Sequence, residues 1–183
     1  MLLQRMIRAA RLDVALYEEV EADTSLTGQA ATVVVIVAVC QALGSALAMV
    51  MAGASSGGQL IPGLIFAAIG PLIGWLVWSY TAYWIGTSLL GGTATPGEML
   101  RTLGFAQTPG VLGLLSFLPV VGGLAVFIGG LWALAAGIVA IRQGLDFTTG
   151  KAIATAIVGW LIWMVVLVVL INVFGLGALV VRG

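Results

Sequence analysis

The chain of 183 residues contains no histidine, one cysteine, and only seven basic and seven acidic residues. Without histidine, an intramembrane metalloprotease has no such ligand and an acid–base pair no imidazole. Cys40 alone makes neither a disulfide framework nor a Cys/His metal cluster, and reads as a small buried hydrophobe. Zero net charge argues against a nucleic-acid partner, which needs a clustered basic surface. The stretch from Gly144 to Lys151 has one residue too many for a phosphate loop, and Ala152 stands where a metal-binding hydroxyl is needed. No enzyme activity, catalytic residue, metal, cofactor or nucleotide is therefore expected.

Charge is scarce and also bunched. None occurs from Thr24 to Gly97, from Thr102 to Ile141, or from Ala152 to Val181, gaps of 74, 40 and 30 residues. Soluble helices need only an apolar stripe, so charge recurs every few positions, whereas a bilayer core demands about 20 uncharged residues. The apolar fraction of 61% and charged fraction of 8% fit a polytopic membrane protein. The first gap divides at the small, polar stretch 53–58, giving spans at about 29–52 and 62–90. Pro62 suits a first helical turn, and Pro71 a kink. Leu118-Pro119 and Gly122-Gly123 divide the second gap into spans at 103–118 and 120–141. The eleven-residue apolar run from Leu161 to Ile171 secures a fifth at 150–173.

The expected fold is thus an all-α integral membrane protein, a five-helix transmembrane bundle at 24–183 preceded by an amphipathic helix at 1–23. Leu3, Ile7, Ala10, Val14 and Tyr17 fall at helical spacing over residues 2–21, with Gln4, Arg8, Arg11 and Glu18 opposite. Such a helix lies in the membrane interface or docks on a partner. A cytoplasmic N-terminus places Arg5, Arg8, Arg11, Arg101, Arg142 and Lys151 inside and only Arg182 outside, so the orientation is N-in/C-out. Gly104, Pro109, Gly110, Gly113 and Pro119 also permit a shallow re-entrant hairpin from the third and fourth segments. Thr95-Pro-Gly-Glu98 predicts a capping box, Gly144 a helix stop, and Thr148 or Thr149 the next start.

No charge lies inside a span, which removes proton relays and many ion-coupled carriers. The remaining polar groups, Gln41, Gln107, Thr108 and Asn172, suit interhelical hydrogen bonds or, as a set, a solute-lining role. Small residues recur every four positions: Ala38, Ala42 and Ala46; Gly70 and Gly74; Ala125, Gly129, Ala133 and Gly137. Such stripes let backbones approach, within one molecule or between copies. Trp78, Tyr80, Tyr83 and Trp84 read as an interfacial aromatic belt.

The stretch from Leu100 to Pro109, continuing through Leu118-Pro119, Gly122, Gly123 and Trp132, resembles the Yip (Ypt/Rab-interacting membrane protein) family. Gly104-Phe105 with Pro109 is similar to the family's Gly-Tyr…Pro signature, and Gly150-Lys151-Ala152 to its prokaryotic branch. The Asp-Leu-Tyr-Gly-Pro motif and long cytoplasmic domain of eukaryotic members are absent, so their Rab-linked traffic role is not implied. The resemblance implies a five-span membrane fold in a prokaryotic plasma membrane. Function is then expected to be a non-enzymatic scaffold or adaptor contacting lipid, protein partners or further copies of itself. The alternative is a small-solute transporter or channel component using the polar residues of the proline-broken helices.

Overall fold

The computed structural model describes residues 1–53 and 57–180, and every regular element among them is helical. These are α1 (Leu2–Ala10), α2 (Val14–Ala22), a 3₁₀ turn (Thr24–Leu26), α3 (Thr27–Met51) and α4 (Gly57–Leu89). They are followed by α5 (Pro96–Ala106), a 3₁₀ segment (Thr108–Phe117), α6 (Val121–Gly144) and α7 (Thr149–Val180). Three described stretches are long and apolar enough to cross a membrane: Thr24–Met51, Val121–Gly144 and Thr149–Leu170. The charge-free α4 is 33 residues long, roughly 50 Å at 1.5 Å per residue. It starts five residues before Pro62, so that proline lies past the first turn. Of the loop expected at 53–58, residues 54–56 lie outside the described ones, while Gly57 and Gly58 already belong to α4.

Residues 2–21 do not form one helix. Leu12 has a left-handed φ of 60°, and its N–H donates to the Ala9 carbonyl at 3.0 Å while that of Asp13 donates to Arg8 at 3.1 Å. This satisfies the open end of α1. Asp13 then caps α2, accepting from the Ala15 N–H at 3.1 Å. The break folds α2 back: Leu16, Tyr17 and Val20 are fully buried, so α2 is part of the common core rather than a free interfacial helix.

The third segment is also divided. Thr95 and Glu98 form the expected capping box, with N···O distances of 3.3 and 2.8 Å, and α5 runs to Ala106. Pro109 has no N–H, and its ring would meet the Phe105 carbonyl in a continuing helix. Thr108 Oγ donates to that carbonyl at 2.7 Å, and the chain tightens into ten 3₁₀ residues. At about 2 Å each these cover about 20 Å. A period of three places Gly110, Gly113 and Ser116 on one line. A Cβ on Gly110 would lie 2.7 Å from Val37, so this line lets the segment press against α3.

Packing closes a ring. α3 lies against α4, α4 against α7, α7 against α6, α6 against the 3₁₀ segment, and that segment against α3. α5 covers one end by packing on α3, α4 and α6, and α2 packs outside α5. This end also holds the α6 stop at Gly144 and the α7 start at Thr149, both as the sequence predicts. We call it the charged end. Lys151 ties its loops by donating to the Leu90 carbonyl at 2.8 Å, and Thr93 Oγ lies 3.2 Å from Asp146.

Trp78 departs from the expected aromatic belt. It is 5% exposed, whereas Tyr80 and Trp84 are 52% and 59% exposed. Its indole lies between α6 and α7, over Gly137 and Gly159, and donates to the Ala156 carbonyl at 3.3 Å. A Cβ on Gly159 would come within 2.6 Å of it, and one on Gly137 would overlap the ring.

Candidate functional site

Two regions gather the polar groups of the chain. At the charged end, Arg5 pairs with Glu19 at 2.7 Å and Arg8 pairs with both Asp13 and Glu19 at 2.7 Å, clamping α1 to α2. Arg5 also donates to Gln29 Oε1 at 3.0 Å, anchoring α1 near the start of α3. These groups are partly exposed, so each pair is a weak fastener and orientation is their main product. Hydrogen bonds from Arg8 hold the Asp13 carboxyl below its ordinary range, and those from Arg5 and Arg8 do the same for Glu19. Glu21 moves the other way: burial raises it first, then its acidic neighbours Asp146, Glu98 and Glu18.

Arg101 is the one basic residue here that is buried, at 4% exposure. Its Nε donates to the Val20 carbonyl at 2.9 Å, and an Nη donates to the Glu21 carbonyl. Both carbonyls belong to the last turn of α2, where unsatisfied oxygens and the helix dipole favour a cation. Positive-inside counting treats Arg101 as a loop charge, and only its placement shows it as the pin between α5 and α2.

The second region is inside the ring. Two adjoining cavities, of about 280 and 270 Å³, share Gln41, Gln107, Gly130 and Ala133 in their walls. Trp75, Trp78 and Trp163 line the larger. Trp75 donates to the Leu100 carbonyl at 2.9 Å, which ties this wall of the cavity to α5. Gln41 Nε2 reaches the Gly110 carbonyl at 3.4 Å, a long bond, while Gln107 makes no side-chain hydrogen bond among the described residues.

The structure therefore brings together two of the four polar residues singled out from sequence. Thr108 bonds back to its own turn, and Asn172 donates to the Val168 carbonyl of its own helix at 2.8 Å from an exposed position. The small residues also divide by role. Gly70, Gly74 and Ala133 line the larger cavity, with Gly74 directly beneath Trp163. Gly129 faces the 3₁₀ segment at Pro109 and Leu112, and Gly137 receives Trp78. Ala38 is buried in α3, whereas Ala42 and Ala46 are half-buried and line neither cavity.

The residues carrying the family resemblance have physical roles. Gly104 lets α5 approach Ala30 and Trp75, Phe105 is fully buried, and Pro109 ends α5. Two devices had a sequence signal that a search for four-residue spacing passes over. Gly110, Gly113 and Ser116 recur every three residues, and Asp13 stands as a helix cap inside the apparent first helix. Among the described residues, no group of three Cys, Asp or Glu is placed to hold a metal.

The sequence profile of the Yip1 domain matches residues 14–171, from the first residue of α2 almost to the end of the described side chains of α7. No curated protein and no solved structure matches the chain. The match spans the ring, α5 and the covering helix α2, and leaves α1 before it. With three helices among the described residues long and apolar enough to cross a membrane and a matched region covering most of its length, the chain belongs to the Yip1 domain family of integral membrane proteins.

Proposed function

We propose that this protein is a non-enzymatic membrane adaptor whose N-terminal helix α1 lies at the bilayer surface and presents a docking face. The carrying observation is Trp132, whose indole donates to the Ala10 carbonyl at 2.7 Å. The large exposed apolar residues of α6 run from Val121 to Trp132 and stop there. On this side of the bundle the lipid-facing surface thus ends where α1 docks, about 18 Å from the end of α6 at 1.5 Å per residue. Met1, Leu3 and Ile7 remain exposed along α1, beside the Arg5–Arg8 clamp. Exposed apolar residues beside basic ones suit an interfacial helix.

In this reading α3, α4, the third segment, α6 and α7 cross the membrane, with the N-terminus inside and the C-terminus outside a prokaryotic plasma membrane. The third segment crosses over about residues 103–118, as the end of α5 and the 3₁₀ segment, while the start of α5 stays at the charged end with α2. Neither the family match nor the geometry supports solute transport.

The test separates α1 from the core. Deleting residues 1–22 would remove Leu16, Tyr17 and Val20 and unsettle the bundle, so the informative variant is Leu3→Glu with Ile7→Glu. Crosslinking in native membranes should lose protein partners in this variant while membrane insertion is retained. An unchanged set of crosslinked partners would sink the adaptor role of α1. A topology reporter fused after Gly183 should read outside, and an inside signal would overturn the odd number of crossings.

A further inference from the structure

The larger ring cavity lies below the Trp78 clasp, where α6 and α7 part. Gly137 and Gly159 close on Trp78 from these two helices. Seven residues earlier on α6, Gly130 is exposed, and a Cβ built on it would meet nothing within 4 Å. Trp160, on the facing wall, is 39% exposed. The cavity therefore has a lateral mouth. Its borders are apolar: Phe127, Ile128 and Leu131 are exposed on α6, and Leu161, Val165 and Val168 on α7. In the membrane placement proposed above, this face of α6 and α7 meets lipid.

The contents follow from counting polar partners. One water needs only about 10–15 Å³ of such space, so a cavity of 280 Å³ has room for many waters, each wanting two to four hydrogen bonds. The described walls present the side-chain amides of Gln41 and Gln107, and Gln41 is already turned to Gly110. The indole N–H groups of Trp75 and Trp78 are engaged by Leu100 and Ala156. Much of the remaining wall is Trp, Leu, Ala and Gly carbon. Such a space offers a water cluster few side-chain partners, and a mobile chain from the bilayer can enter at the mouth.

We infer that the cavity is a binding site for one acyl chain of a bilayer glycerolipid, entering tail-first between α6 and α7. The aromatic faces of Trp75, Trp78 and Trp163 contact the chain. This inference rests on the membrane placement of the bundle and not on the adaptor role of α1.

The full-length protein is reconstituted in phosphatidylethanolamine and phosphatidylglycerol vesicles whose acyl chains carry a diazirine, then irradiated and mapped by peptide mass spectrometry. Adducts on inward Trp75, Trp78, Leu134 or Trp163, beside those on outward Val165 and Val168, are the expected result. Labelling confined to outward residues would overturn the site. Ala133→Phe fills the cavity and should reduce inward labelling several-fold while outward labelling persists, which also reports that the variant is inserted and folded. Unchanged inward labelling in Ala133→Phe would likewise overturn it. Loss of adaptor function in the α1 variant leaves all these outcomes unchanged, so the two readings fail separately.

Discussion

Arg101 and Val20, 81 positions apart, are joined by a hydrogen bond of 2.9 Å from the guanidinium Nε to the Val20 carbonyl. The arginine is buried without a carboxylate partner in the first place. Its charge is met by the carbonyl end of α2, which carries partial negative charge and open acceptors. One residue thereby fastens the N-terminal segment to the bundle.

Arg101→Ala is expected to release the end of α2. Hydrogen bonds to charged groups contribute about 1.5–3 kcal/mol each, and two are lost, against which the desolvation of a buried guanidinium is relieved. A net loss of about 2–3 kcal/mol is expected in detergent unfolding. Faster amide exchange should be concentrated in α2. Arg101→Lys should recover only part, because an ammonium lacks the fork that reaches two carbonyls. Full protection of α2 in Arg101→Ala would mean that Arg101 does not pin it.

Gly137 and Gly130 lie on the same helix and should respond oppositely to alanine. At Gly137 the new methyl would overlap the Trp78 ring, and overpacking typically costs about 1–3 kcal/mol. At Gly130 nothing stands within 4 Å, so Gly130→Ala should be neutral or mildly stabilising. Thermal unfolding of the two variants in one detergent distinguishes this from a uniform glycine stripe, for which the two changes would be equal.

Gly113→Leu should separate the 3₁₀ segment from α3, since even a Cβ there would lie 2.5 Å from Gln41. The expected loss is about 1–3 kcal/mol, from the same overpacking. Cysteine pairs placed across the α3–3₁₀ contact should crosslink less in the variant. An undiminished crosslinking rate would argue against this close approach.

The α1–α2 clamp should loosen in acid. Asp13 and Glu19 have lowered carboxyl pKa values in the fold, so their stabilising contribution is present above the ordinary carboxylate range, roughly pH 4, and is lost as pH falls through the lowered values. Glu21 is raised, so its effect has the opposite sign. Its contribution is fullest below the ordinary range and is lost as pH rises through its raised value. Amide exchange corrected for intrinsic rates should show α1 less protected at pH 3.5 than at pH 7. Equal protection at the two pH values would mean that the ion pairs do not hold α1.

Much of the secondary structure was legible in the chain because its signals are local. The capping box of Thr95 and Glu98, the stop at Gly144 and the start at Thr149 each involve residues within one turn. Pro109 acts on the carbonyl four residues before it, although a 3₁₀ segment of ten residues was not foreseen. The break at Leu12 leaves no mark in the apolar spacing of residues 2–21, which is continuous across it. Only Asp13, as a cap, marks the second helix.

The sequence by itself determined that this is a helical membrane protein, where several of its helices start and stop, and that reactive charge is absent from its long apolar stretches. Hydropathy, proline and caps operate over a few residues, so no neighbour is needed to read them. The tertiary structure alone decided which faces turn inward. α3, α4, α6 and α7 are apolar on all sides, and a helix without a polar face carries no periodic sign of its interior. Hence the closure of the ring, the slot of Trp78 between Gly137 and Gly159, and the meeting of Gln41 with Gln107 appeared only once the helices were packed. Packing also gave Arg101, whose charge the sequence places near a loop, a buried carbonyl end to hold.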